Sequence, residues 1–184
     1  MGSRLSSESF CRTDDGVFVC SFSEFGLCRI RFPSASPEES EASVPSSDGA
    51  QDATDEWVRW AHEAIHHILR GQAVVKLPPL DLQGTDFQRQ VWAALMAIPL
   101  GETRTYGDIA REIGNPDSVR AVGRACGANP IPLIIPCHRV LASGNRLGGF
   151  SGGRGWKPKL LEREGWTSGS DLPLFQNGNQ ADTP

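Results

Sequence analysis

Three prolines in seven positions, Pro130, Pro132 and Pro136, constrain residues 129–140, Asn-Pro-Ile-Pro-Leu-Ile-Ile-Pro-Cys-His-Arg-Val, more than any other stretch of the chain. Each proline fixes its own φ and restricts the residue before it, so this apolar run has few backbone conformations open to it. The run delivers Cys137 next to His138. A thiol held in place with an imidazole one residue away has the parts of an activated nucleophile. A free cysteine after an apolar run is as often a small buried hydrophobe, and this stretch alone leaves both readings open.

Charge is divided unevenly along the chain. The net charge is -4, yet residues 1–81 hold seven Lys and Arg against thirteen Asp and Glu, whereas residues 82–166 hold eleven against seven. Positive charge therefore gathers in the segment that carries Cys137, as phosphate neutralisation would require. A length of 184 residues suits one core, or one domain with a small appendage. With 39% hydrophobic residues and no long apolar stretch, no membrane association is expected. Arg4, Glu8 and Arg12 interrupt the first apolar residues, which argues against a secretory signal. Five cysteines without regular spacing predict free thiols in a reducing intracellular compartment.

Taken in order, residues 1–16 read as polar and irregular. Residues 17–22 and 27–32 alternate apolar and polar around a turn at 24–26 and predict a β-hairpin. Residues 33–52 read as a flexible acidic linker. A helix is expected over 54–69, with Trp57, Trp60, Ala61, Ala64, Ile65 and Ile68 on one stripe and Gly71 as its stop. His62, His66 and His67 of that helix, with Cys11, Cys20 and Cys28, can be drawn as a zinc site. Surface histidines and core cysteines are the simpler reading, and no metal is assigned.

A second helix is expected over 86–98, with Phe87, Val91, Trp92, Leu95 and Met96 facing a core and Pro99 ending it. Residues 105–113 and 117–126, joined by Gly114-Asn115-Pro116, have the form of a helix-turn-helix whose second helix Asp117 would cap. Read alone, an ordinary αα-hairpin fits this segment as well. The small residues Ala121, Gly123, Ala125 and Gly127, with Arg120 and Arg124 among them, would let that helix approach another surface closely. A last short helix is expected over 157–165, and residues 167–184 read as a disordered polar tail.

Residues 136–140, the Gly-Gly-Phe-Ser-Gly-Gly run at 148–153 and Lys-Pro-Lys-Leu-Leu-Glu-Arg-Glu-Gly at 157–165 together resemble the O6-alkylguanine-DNA alkyltransferases, single-turnover DNA repair proteins with a Pro-Cys-His-Arg motif. The likeness runs from about residue 87 to 165. It implies an α/β (α+β) fold: a small N-terminal part over 1–81, then a mostly helical DNA-binding domain over 82–166 with the helix-turn-helix. It also implies transfer of an alkyl group from the O6 of guanine, and possibly the O4 of thymine, to Cys137 after the base has flipped out of the duplex. The implied partner is double-stranded DNA containing alkylated guanine. No cofactor is implied, and the protein would act as a monomer, in the bacterial cytoplasm or a eukaryotic nucleus.

Roles for other residues follow only from the resemblance. His138 would be the base, coupled to Cys137 through a water, and Glu164 would hold its other nitrogen. Tyr106 would donate to the leaving base, and Asn129 would tie the turn before the thiol. Arg120, with Ala121, Gly123 and Arg124 beside it, would enter the minor groove and fill the gap left by the flipped nucleotide. Val140 and Cys137 carbonyls and the Ser151 loop would read the base, and Phe150 would stack on it. Phe150 stands where many relatives carry Tyr, and Arg154-Gly155-Trp156 departs from the small or aliphatic residues usual there. Two rival readings remain: a non-catalytic binder of alkylated DNA, whose relatives replace the cysteine that is present here, and a cysteine hydrolase built on Cys137 and His138.

Overall fold

The structure, a computed structural model, describes residues 5–33, 53–153 and 155–167. Apart from Pro33 and Thr167, the acidic linker and the tail expected at 33–52 and 167–184 lie outside the described residues, as does Arg154.

Strands β1 (Leu5–Thr13), β2 (Gly16–Ser23) and β3 (Gly26–Arg31) form one antiparallel sheet in that order. The β2–β3 hairpin lies where the alternation placed it. Strand β1 corrects the expectation of an irregular start. Its register pairs Ser9 with Cys20 and Cys11 with Phe18. The strand was hard to read because its inner face carries small polar residues: Ser9 Oγ lies 3.0 Å from His62 Nε2, and among its residues of described burial Cys11 alone is fully buried. Helix α1 (Ala53–Leu69) covers that face with Ala61, Ala64, Ile65 and Ile68 buried. Gly71 stops it at φ +65, and a Cβ there would fall 1.9 Å from the Arg163 carbonyl oxygen, so only glycine lets the chain pass.

An extended segment returns along the sheet, with Leu27 N donating to Pro79 O at 2.8 Å and Asp81 N to Leu27 O at 2.9 Å. Helix α2 (Asp86–Met96) begins with a Thr85–Gln88 capping box. It ends two residues earlier than expected because Pro99 disfavours helical backbone at Ile98. Met96 is 42% exposed, a correction to its core assignment, and Ile98 is buried in its place.

Strand β4 (Arg104–Thr105) leads into α3 (Tyr106–Glu112), a 3-10 turn (Pro116–Ser118) and α4 (Val119–Gly127). These two helices make up the helix-turn-helix. Asp117 does not cap α4: the 3-10 turn runs straight into the helix, Ser118 occupies the N-cap, and no side chain bonds the free amides there. A second 3-10 turn (Cys137–Arg139) precedes β5 (Val140–Leu141), which pairs in parallel with β4, and α5 (Trp156–Arg163) follows. The last helix starts one residue before the expected 157 and leaves Glu164 just beyond its end. Pairing of Arg104 with Val140 sets the start of α3 beside the Cys-His-Arg turn.

One hydrophobic cluster runs from Phe18, Phe22 and Leu27 of the sheet through Ile65 and Trp92 to Ile131, Ile135 and Leu160. Trp92 anchors α4, with Nε1 donating to Ala125 O at 2.9 Å. Trp92→Ala is expected to cost about 3–5 kcal/mol in urea unfolding, from lost burial and the cavity left behind. Trp92→Phe should cost less, the share belonging to the hydrogen bond and the smaller ring.

Candidate active site

Residues 131–138 are all buried. The chain turns sharply within them: Leu133, 1% exposed, takes φ 87, a left-handed conformation that costs a branched residue about 1–3 kcal/mol. Asn129 holds the turn from inside. Its Oδ1 accepts from Ile131 N at 3.0 Å, and its Nδ2 donates to Ile135 O at 2.8 Å and lies 3.2 Å from Cys137 Sγ.

Cys137 and His138 lie in a 3-10 turn, closed by Arg139 N to Pro136 O at 3.0 Å. At three residues per turn, successive side chains still diverge. Sγ faces Asn129 and Ser151, whose Oγ is 3.9 Å away, while the imidazole faces α5. Cys137 is 3% exposed. Burial pushes its thiol up from the usual range, against the pull of Asn129, Ser151 and the Lys157 cation. The resting sulfur is therefore a protonated thiol.

Glu164 joins the rest. Its Oε1 sits 2.9 Å from His138 Nε2, and Arg139 reaches it with Nε at 2.8 Å and Nη2 at 2.9 Å. The Glu164 and His138 side chains are buried, at 1% and 0% exposure, and that of Arg139 is 12% exposed. Burial alone would raise the Glu164 carboxyl, but the hydrogen bonds from His138 and Arg139 hold it down to about 2. Burial lowers His138 below its usual value despite the carboxylate. At neutral pH the pair is thus a carboxylate and a neutral imidazole. A carboxylate only accepts, so Nε2 carries the hydrogen and Nδ1 carries the lone pair. Nδ1 is buried and has no protein partner among the described residues.

Arg139 and Lys157 were not singled out from the sequence. Lys157 is 2% exposed, with Nζ 2.6 Å from Val140 O and 5.9 Å from the centre of the Tyr106 ring. Burial lowers its pKa. Lys157, Leu160, Leu161 and Glu164 follow i, i+3, i+4, i+7, the inward face of a helix, and that spacing was the available signal for Lys157. The Val140 carbonyl, implied as a contact for the base, already accepts from Lys157 and keeps one lone pair.

Tyr106, at the start of α3, is half-buried, and burial pushes its phenol up to about 12, so it remains a donor. Gly148 packs on it: a Cβ there would lie 2.8 Å from the Tyr106 oxygen. Phe150 stands edge-on to His138, ring centres 6.3 Å apart. On α4, Val122, Ala125 and Cys126 face the core, while Arg120 and Arg124 are exposed without ion-pair partners among the described residues. Ala121 and Gly123 are half-buried between them, and a Cβ on Gly123 would meet nothing within 4 Å. All five cysteines are free, and no three His, Cys, Asp or Glu side chains among the described residues are placed to hold a metal. No described helix is long and apolar enough to cross a membrane.

In class, this is an α/β chain in which a helix-turn-helix is joined directly to a buried cysteine whose neighbouring histidine is anchored on a carboxylate. Residues 86–166 match the family of the 6-O-methylguanine DNA methyltransferase DNA-binding domain. The methylated-DNA--protein-cysteine methyltransferase of Mycobacterium tuberculosis is 55% identical over 96 residues, 52% of this chain and 58% of that protein. The protein of that name from Methanosarcina acetivorans is 54% identical over 114 residues, 60% of this chain and 71% of that one. A crystal structure of M. tuberculosis OGT in complex with DNA superposes with TM-score 0.67 at 35% identity, covering 84% of this chain and 90% of that one. The chain belongs to the O6-methylguanine-DNA methyltransferase family. Its match spans a little over half the length of the mycobacterial relative.

Glu164→Gln is expected to lower stability at pH 7 by about 3–5 kcal/mol, since it leaves Arg139 buried against a neutral amide. The Glu164 carboxyl lies near 2 in the fold against a usual 4.5, so its contribution is complete above about pH 4.5 and fades as pH falls towards 2. Urea unfolding of both proteins from pH 7 to pH 2.5 should show the gap closing with acid.

Proposed function

We propose that the chain repairs O6-alkylguanine in double-stranded DNA by taking the alkyl group onto Cys137, once per molecule and without a cofactor. The observation that carries this reading is a thiol held by Asn129 in the residue before a neutral imidazole whose Nε2 is fixed by Glu164. A new bond forms between Sγ and the alkyl carbon as the bond from that carbon to guanine O6 breaks. The thiol proton passes to His138 Nδ1 through a bridging water, Glu164 stabilises the imidazolium, and Tyr106 supplies a proton to the departing base. Solvent exchange restores both groups, while the thioether remains because nothing at the site hydrolyses it.

The exposed face of α4 is the proposed DNA surface. Nothing inside the protein requires glycine at 123, whereas a minor groove pressed against the helix would. Arg120 and Arg124 would meet phosphates or the base stack, with Arg120 filling the place of the flipped nucleotide. The mycobacterial relative crystallised with DNA supports DNA as the partner. A sulfur with 3% exposure cannot receive a base until the 148–153 loop gives way. Phe150 and Ser151 of that loop would then line the base.

Intact-protein mass spectrometry after exposure to duplex DNA containing O6-methylguanine, or to O6-benzylguanine, should show one alkyl group per molecule, and none on Cys137→Ala. Continued product release without an adduct would instead identify a cysteine hydrolase. Gly123→Ala should leave the helix as stable or up to about 1 kcal/mol better. Repair of duplex should nevertheless fall at least about tenfold in that variant and in Arg120→Ala, with reaction toward the free base largely kept; equal losses on both substrates would rule out the wedge.

A further inference from the structure

The loop that covers Cys137 is held from the N-terminal sheet. Across residues 148–153 a single backbone hydrogen bond among the described residues, Gly153 N to Phe150 O at 3.4 Å, closes the loop on itself. Rings hold its two ends. At one end Gly148 rests on Tyr106; at the other a Cβ on Gly152 would lie 2.7 Å from Phe32 Cζ and 2.4 Å from Phe150 Cε1. Phe32 follows β3 and meets Phe150 edge-on, centres 5.6 Å apart at 88°. It is fixed from behind by Phe18 at 5.2 Å and Trp156 at 4.9 Å, and Trp156 also meets Phe18 at 5.4 Å. Between the two grips stands Ser151, with Oγ 3.9 Å from Sγ.

From this geometry we infer that Phe32, which touches neither the thiol nor the imidazole, is a positioning residue that sets how far the loop yields and so which alkyl groups reach Cys137. The inference rests on the repair reading above. Trp156 belongs to the same wall, since it closes the space behind Phe32 that the loop would need in order to retreat. A bulkier alkyl group needs a larger retreat, so loosening the wall favours large groups over small ones. Edge-to-face ring pairs fix both distance and orientation, which an aliphatic side chain of similar bulk does not.

The test is a ratio. In two oligonucleotide duplexes of one sequence, carrying O6-benzylguanine or O6-methylguanine, the second-order rates of Cys137 alkylation are measured for wild type, Phe32→Ala, Phe32→Leu and Ile30→Val. Any loss of folded protein lowers both rates equally and cancels. Phe32→Ala should raise the benzyl-to-methyl ratio about threefold or more and Phe32→Leu by less, while Ile30→Val, a buried change within β3 away from the loop, leaves it unchanged. Amide exchange over residues 148–153 should quicken in Phe32→Ala while that of α2 does not. If Phe32→Ala fails to fold, Phe32→Leu carries the comparison. An active wild type whose ratio does not move in the Phe32 variants overturns the positioning role alone. A wild type alkylated by neither duplex overturns the repair reading beneath it.

Discussion

A single buried carboxylate organises this molecule. Glu164 receives His138 on one oxygen and the Arg139 fork across both, so two consecutive residues of the 3-10 turn are tied to the end of α5. Removing a carboxylate from water costs several kcal/mol, and only a full set of donors offsets that. The same set selects the histidine tautomer. Packing and the protonation of His138 therefore meet on one side chain.

The site depends on parts of the chain far apart in sequence. Asp15, in the turn between β1 and β2, pairs with Lys159 at 2.5 Å and Arg163 at 2.6 Å and so fastens the helix that presents Glu164. Ile30 N donates to Pro130 O at 3.0 Å and ties β3 to the proline run. Phe32 meets the covering loop. The N-terminal sheet thus touches each of the three segments from which the site is built.

Much of this was legible in the sequence, and the exceptions share a cause. Helices α1 and α2 carry regular apolar stripes with caps or stops, and both lie within two residues of expectation. The proline run singled out the cysteine beside its histidine, while the roles of His138 and Asn129 were implied by the family resemblance alone. Strand β1 escaped because Ser9 and Glu8 are satisfied by side chains rather than by apolar burial. Arg139 and Lys157 escaped because a buried cation reads as a surface residue until its acceptor is known, and Ile98 O, Glu164 and Val140 O are remote in sequence. The turn at Asp117 shows the limit of cap signals, since a preceding 3-10 turn moved the helix start by two residues.

Cys137 is kept both buried and protonated. Oxidants and adventitious electrophiles attack the thiolate, so a sulfur stored as the neutral thiol ages slowly. Under the proposed repair, in which each molecule would use its nucleophile once, this resting condition would preserve the unused stock until a base displaces the loop beside the sulfur.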